Sequence, residues 1–439
     1  MIHYSKKPGI LFMRYVILGV LYCPAVFVYA ADIQLIKIAY LTQEKKVPPA
    51  LSNLDDFIQQ KGLAGTQLAV ADNNTTGQFT GQKFQLIKII VPVDEDVIKV
   101  FKKQIPDDTA LIIANLPAEK LELLADLDLT QNKLIFDATT TDDHLRNNQC
   151  RDNVLHLLPS RAMRADALAQ YMLKKKWRHW FLISGLSPGD QAYSQAIKRA
   201  AKRFGMKIVA EKQWTHNFDA RRTAESDVPV FTQGIDYDVL VVADEQGLFG
   251  EYLAYRTWLP RPVIGTQGLV PSAWHRTHEQ WGGVQIQNRF KALAKRWMEE
   301  EDYGAYLAVR SIGEATVRTQ SNKMQAIKDY LLSDAFSLQG YKGTPLSFRS
   351  WNGQLRQPVL LAAARSLVSV APIEGFLHPK TVLDTLGYDQ SESSCNNQLK
   401  IRENKSSFKQ LKNEANAAKT WQKKIQHLRN KINEIFNLN

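Results

Sequence analysis

Short, uniformly apolar runs alternate along this chain with longer stretches that carry an apolar residue every third or fourth position. Residues 33–41 (IQLIKIAYL) read as a strand, 63–74 as a helix with Leu63, Gln67, Val70 and Asn74 at turn spacing, and 84–91 as a strand. Residues 94–105 read as a helix, 110–114 as a strand, 118–127 as a helix, and 133–137 (KLIFD) as a strand. Uniform apolar strands separated by helices predict a parallel sheet with helices on both faces, because a strand buried on both sides cannot alternate with polar residues.

The pattern then restarts. A helix is expected over 161–175, a strand over 179–184 (HWFLIS), a helix over 190–204 and a strand over 207–210. Strands at 238–243 (DVLVVA) and 262–264 follow, with a helix at 250–258 between them. Two successive α/β halves imply two lobes. From about 281 to 341 the chain turns mainly helical (290–300, 303–319, 323–332), and 345–348 with 355–361 read as a late hairpin turned by Asn352-Gly353. No internal repeat is visible.

The two ends differ from the body. Lys6, Lys7 and Arg14 precede an apolar run from Tyr15 to Ala30 that is too short for a membrane span. Val28 and Ala30 fit the −3 and −1 positions of a cleavage site. Residues 1–30 are therefore expected to be a cleaved secretory signal, with Met1 or Met13 as its start and an uncleaved anchor as the alternative. Residues 396–439 contain no Gly or Pro and place Leu411, Ala418, Ile425 and Ile432 seven apart, as they do Trp421, Leu428 and Ile435. This basic tail is expected to be helical, with a partner helix or the protein's own surface covering its seam, and to be dispensable for the two lobes.

Charge changes the picture only when it is located. The net charge is +12, yet the first 30 residues hold three basic and no acidic groups, and the last 44 hold ten basic and three acidic. The body keeps 43 basic and 41 acidic residues. A nucleic-acid-binding body more often shows a basic face of its own, and no nucleic-acid partner is expected.

Three cysteines are too few for a disulfide scaffold. Loss of Cys23 with the signal leaves Cys150 and Cys395. An oxidising compartment favours a bridge between them over two separate buried thiols.

Candidate catalytic motifs fail on chemistry. Gly185-Leu186-Ser187-Pro188-Gly189 matches G-x-S-x-G between a strand and a helix. The residue after the serine must lend its backbone N–H to an oxyanion, and Pro188 has none. Gly77 to Lys83 (GQFTGQK) has the wrong spacing for a phosphate loop. His275 and His278 lack further ligands nearby and lie between two tryptophans, which suggests packing. The acidic pairs Asp107-Asp108 and Asp142-Asp143 read as caps or solvated turns. Neither metal nor cofactor is expected, and binding is favoured over catalysis.

Three segments carry a resemblance: LHLLPSRAMRADALAQY (155–171), GTPLSFRSWNGQLRQPVLL (343–361) and EGFLHPKTVLDTLGYDQ (374–390). Through them the chain resembles the periplasmic solute-binding proteins of ABC uptake systems, in the branched-chain amino-acid-binding branch. The likeness is greatest to a subgroup associated with PQQ-dependent alcohol oxidation, and covers about 33–395. It implies an α/β fold of two Rossmann-like lobes with parallel sheets joined by a hinge (a type I periplasmic binding protein). Lobe 1 would comprise 31–157 and 286–342, and lobe 2 158–285 and 343–395. It further implies a small organic ligand in the cleft, an ABC permease as partner, a periplasmic location and no enzymatic activity. A periplasmic sensor or accessory protein is the alternative, and an exported serine hydrolase a more distant one.

Carried onto this sequence, the family's pocket falls at Asn115, where small hydroxyl residues are lost, and at Thr140 and Thr141, which fit. A tyrosine position falls near Asp190, with Tyr193 out of register. An aromatic position falls at Glu245 and Gln246, and the acid that holds a ligand ammonium falls at Gln267. A zwitterion buried in a closed cleft needs both charges paired. The resemblance therefore argues against a branched-chain amino acid and for a neutral or differently charged metabolite.

Overall fold

The computed structural model describes residues 33–47, 57–215 and 224–395. The signal segment and the tail, with their expected cleavage and helix partner, lie outside the described residues.

The first half runs β1 (Gln34–Gln43), α1 (Leu63–Thr80), β2 (Gln82–Val91), α2 (Val97–Gln104), β3 (Leu111–Asn115), α3 (Ala118–Ala125), β4 (Leu134–Asp137), α4 (His144–Asn147) and β5 (Val154–His156). These strands form a parallel sheet in the order β2-β1-β3-β4-β5. Period-two alternation sends Ile36, Ile38, Tyr40, Ile113 and Phe136 to one core and Ala39, Leu41, Ile112, Ala114 and Ile135 to the other. Helices therefore cover both faces, as the unbroken apolar runs require.

The second half runs α5 (Arg161–Lys175), β6 (His179–Ser184), α6 (Pro188–Phe204), β7 (Lys207–Gln213), α7 (Ala224–Thr232), β8 (Val239–Ala243), α8 (Gly250–Arg256), β9 (Val263–Gly265) and β10 (Val270–Ser272). Its parallel sheet has the order β7-β6-β8-β9. Trp180, Leu182, Val239 and Val241 face one core, and Phe181, Ile183, Leu240 and Val242 the other.

The chain then returns through α9 (Gly283–Ala294), α10 (Glu300–Thr319) and α11 (Met324–Leu331). Tyr303, Tyr306, Leu307 and Ile312 of α10 enter the first lobe's core. Helix α1 meets α10 so closely that a Cβ on Gly65 would lie 1.9 Å from the Asp302 carbonyl oxygen, so only glycine fits there.

Five short strands follow: β11 (Leu338–Gln339), β12 (Pro345–Phe348), β13 (Leu355–Arg356), β14 (Val359–Ala363) and β15 (Ser366–Ala371). They form two small antiparallel sheets, β11-β12-β13 and β10-β14-β15.

Several expectations change. The helix expected at 290–300 is two elements: α9 ends before Lys295, whose φ is +59°, and α10 begins at a capping box between Glu299 and Asp302. The late hairpin pairs Phe348 with Leu355 but stops at Arg356, and β14 leaves to pair with β10 and β15. Pro358 stands at the break; its ring nitrogen cannot donate to a ladder. Helix α1 runs on to Thr80, where Gly81 at φ +68° ends it. Core membership also departs from the expected lobe limits at 285/286 and 342/343: Ala273, Trp274, Leu346, Phe348 and Leu355 belong with the first lobe's core.

Candidate ligand site between the lobes

In an open parallel sheet a ligand crevice forms where the chain winds in opposite directions from adjacent strands. In the first sheet that point lies between β1 and β3, and in the second between β6 and β8. Asn115 ends β3, and the loops at Gly185 and Asp244 follow β6 and β8. The anticipated residues cluster around these ends.

On the first lobe, Asn115 donates to the Tyr40 hydroxyl (3.2 Å) and to the Lys61 carbonyl, and accepts from Thr139 (2.6 Å). Thr140 is buried, with its hydroxyl on the Asp137 carboxylate and its amide on Asp137 Oδ1 at 2.9 Å. Both side chains hold the strand ends in place. Thr141 is half-buried, and its carbonyl accepts the Arg161 amide at 2.8 Å.

Behind Thr140 lies a buried polar cluster. Asp137 pairs with His156 Nδ1 (2.7 Å), and Arg146 reaches Asp137 (3.5 Å), the Thr140 carbonyl (2.7 Å) and Gln354 (2.5 Å). Burial would raise the Asp137 carboxyl, but the His156 hydrogen bond and the Arg146 charge outweigh it and hold the group below the usual carboxylate range. Burial, with Arg146 adding to it, pushes His156 down to about 4.

The sign of the resulting pH dependence follows directly. An unfolded chain protonates this histidine near 6.5 while the folded one stays neutral, so stability is full above pH 6.5 and falls as the pH drops toward 4. The slope from this one group approaches about 1.4 kcal/mol per pH unit. Denaturant midpoints at pH 7 and pH 5 should separate in the wild type and converge in His156→Asn. An unchanged separation in the variant would assign the slope elsewhere.

On the second lobe, Asp190 does not point outward. It forms a capping box with Ser187, which accepts from the Asp190 amide (3.1 Å), and Asp190 Oδ1 holds the Glu245 amide at 2.6 Å. Ser187 of the G-x-S-x-G match is therefore the N-cap of α6. Gln246 is exposed, and Gln267 is half-buried with its Cγ against Gly250. The two histidines of the sequence pair are also spoken for: His275 bonds Thr277 (2.7 Å), and His278 bonds the Tyr341 carbonyl (2.6 Å) and packs on Trp274.

Glu245 makes a two-pronged ion pair. Its carboxylate is held bidentately by Arg161 (2.8 and 2.7 Å), which also donates to Asp142 of the first lobe at 2.6 Å. Burial would lower the Arg161 guanidinium, but Glu245 and Asp142 outweigh it and raise it. Arg161 was not among the residues anticipated from the sequence. One signal was available: a cation at the first position of a helix opposes the helix dipole, so it needs a partner to sit there.

Three crossovers join the lobes, near Leu158, Ser272 and Gln357. Arg164 of α5 bonds Glu300 of α10 (2.9 Å), whose other oxygen accepts from Ser272 and Ala273 (both 3.0 Å). Gln357 donates to the Leu157 carbonyl, and buried Lys342 donates to Gln357 and the Pro358 carbonyl (both 2.8 Å). Burial among neutral acceptors holds the Lys342 ammonium well below its ordinary value. Side-chain bonds thus tie each crossover to its neighbour. The Sγ atoms of Cys150 and Cys395 also lie within bonding distance, with Cα atoms 5.5 Å apart.

The comparisons agree with this architecture. A periplasmic binding protein family matches residues 54–219. None of the curated proteins matches the chain in sequence. A branched-chain amino acid ABC transporter periplasmic ligand-binding protein from Burkholderia xenovorans LB400 superimposes with a TM-score of 0.64 at 15% identity, covering 82% of this chain and 100% of that one. A periplasmic binding protein from Burkholderia mallei gives 0.60 at 15% identity over 82% and 98%. A solute-binding protein of an ABC transporter from R. palustris, in complex with benzoate, gives 0.53 at 10% identity over 74% and 92%. In fold, with two parallel-sheet lobes joined by three crossovers, this chain is similar to the type I periplasmic binding proteins.

Proposed function

We propose that this protein is the solute receptor of an ABC-type uptake system. It takes a small organic metabolite into the cleft between its lobes and presents the closed form to a permease in the inner membrane. What supports this reading is that Arg161 bonds both Asp142, in the loop after β4 of the first sheet, and Glu245, in the loop after β8 of the second, so loops beyond the carboxyl ends of both sheets meet at one place, where such sheets take ligands. The signal-like N-terminus supports export to the periplasm with cleavage after Ala30, and a Cys150–Cys395 disulfide suits that compartment. A link to PQQ-dependent alcohol catabolism rests on the three segments that resemble that subgroup.

Native mass spectrometry of gently purified protein tests the reading. A co-purifying molecule of metabolite size, released on unfolding, is the expected result. A chain that carries none, and whose melting no candidate metabolite shifts, would favour an accessory protein that uses the fold without transport.

A further inference from the structure

Glu245 occupies a position that has the features of a ligand seat. A Cβ placed on Gly189 would lie 2.5 Å from Glu245 Oε2 and 3.7 Å from an Arg161 nitrogen. The carboxylate therefore lies against the first turn of α6, a 17-residue helix. In that turn Pro188 has no N–H, the Asp190 amide goes to the Ser187 side chain and the Gln191 amide to the Ser187 carbonyl. The Gly189 amide is left, at the positive end of the helix dipole. One turn further on along the same face of α6, four residues after Gly189, the Tyr193 hydroxyl is buried with no hydrogen-bond partner. A buried, unsatisfied hydroxyl is costly unless something else satisfies it.

Either partner of the ion pair could in principle yield to a ligand, and the structure distinguishes them. Arg161 is almost wholly buried, and its amide is bonded to Thr141 at a crossover. Glu245 has its amide pinned by Asp190, yet its side chain reaches solvent from a loop that ends at Gly247, φ +69°. Glu245 is the more exposed partner, 29% against 9% for Arg161, so it is the one with room to yield.

We infer that Arg161, the first turn of α6 and Tyr193 form a carboxylate seat, filled by Glu245 and vacated to admit a metabolite that bears a carboxylate. The inference deepens the proposed receptor role and rests on it. The exchange conserves charge: one carboxylate replaces another on Arg161 while Asp142 keeps its bond. Glu245 then acts as a built-in competitor, which sets a threshold on ligand concentration and rejects neutral analogues that cannot displace it.

Acetate is the probe, with acetamide as its neutral counterpart, and the readout is thermal melting of the full chain at pH 7 and matched ionic strength. In Glu245→Ala the seat is empty, and acetate at about ten times its dissociation constant should raise the melting temperature by about 1–2 °C. Acetamide should not. The wild type should respond less to acetate, and Glu245→Ala combined with Arg161→Met should not respond. Glu245→Gln, which keeps the side-chain volume, should show the same ranking if the alanine variant folds poorly. Equal shifts in all variants, or none in either Glu245 variant, would overturn the seat. A co-purifying metabolite without acetate rescue would leave the receptor reading standing and remove only the seat. Acetate rescue without any bound metabolite would do the reverse.

Discussion

Replacing Asp384 with Asn should cost about 3–5 kcal/mol of stability, the usual penalty for stranding one side of a buried ion pair. Asp384 is fully buried and accepts from Arg349 (2.8 Å) and from Arg356 (2.9 and 3.0 Å). Arg349 is itself buried and spends its remaining donors on the carbonyls of Leu386 (2.7 Å), Tyr388 (3.2 Å) and Leu383 (3.4 Å). One guanidinium thus gathers the turn around 383–388 onto β12 and β13. Removing the carboxylate leaves two cations facing each other in a dry site. Urea unfolding should show the loss as a lower midpoint at unchanged slope. The paired replacement Arg349→Met with Asp384→Leu should cost less than the two single changes added together, because it removes both charges at once. Additive costs would mean that the two residues act separately.

This cluster lies within two of the segments through which the sequence resembles a known subgroup, and the contrast with the cleft explains what could be read in advance. The strands were legible because burial on both faces forces unbroken apolar runs, as in β1, β6 and β8. Helix α5 was legible to the residue. The α9–α10 break was not, since it depends on Lys295 adopting a left-handed conformation and on a capping box led by Glu299, an uncommon N-cap. The division of 345–363 between two sheets was missed because either strand pairing satisfies the apolar pattern, and only tertiary context separates them.

In the site, sequence register led to the right loops but could not assign roles within them. Thr140 and Asp190 lie at the strand ends where a ligand is expected, yet both spend their hydrogen-bonding groups on neighbouring backbone and side chains. Short polar residues beside strand ends compete for local caps as readily as for ligands, and the sequence does not distinguish the two uses. Arg161 and Tyr193 acquire meaning only when α5, α6 and the loop after β8 are brought together.

Replacing Cys395 with Ser should cost about 2–5 kcal/mol, because a Cys150–Cys395 bond, across a sequence separation of 245, would remove much of the unfolded chain's freedom. Its position adds a second consequence. Approaching Cys395, the chain is first fastened to the second lobe: the Gly387 amide bonds Asp166 (2.8 Å), the Gly387 carbonyl accepts from Arg203 (2.6 Å) and Arg199 (2.9 Å), and Arg199 lies over the Tyr388 ring. Glu392 pairs with Arg199 at 3.1 Å. Two residues later the Ser394 amide bonds Asn147 of the first lobe at 3.2 Å, and Cys395 meets Cys150 beside it. Residues 387–395 thus form a fourth tie between lobes that three crossovers already join, and a covalent bond there would limit how far the lobes can part. Thiol labelling of the unfolded, unreduced protein should find Cys150 and Cys395 blocked. Reduction, or Cys395→Ser, should lower the unfolding midpoint and widen the distribution of distances between spin labels placed one on each lobe. Two free thiols would rule out the bond itself. A bond present but without effect on the inter-lobe distances would show that the strap stabilises the fold and leaves the hinge free.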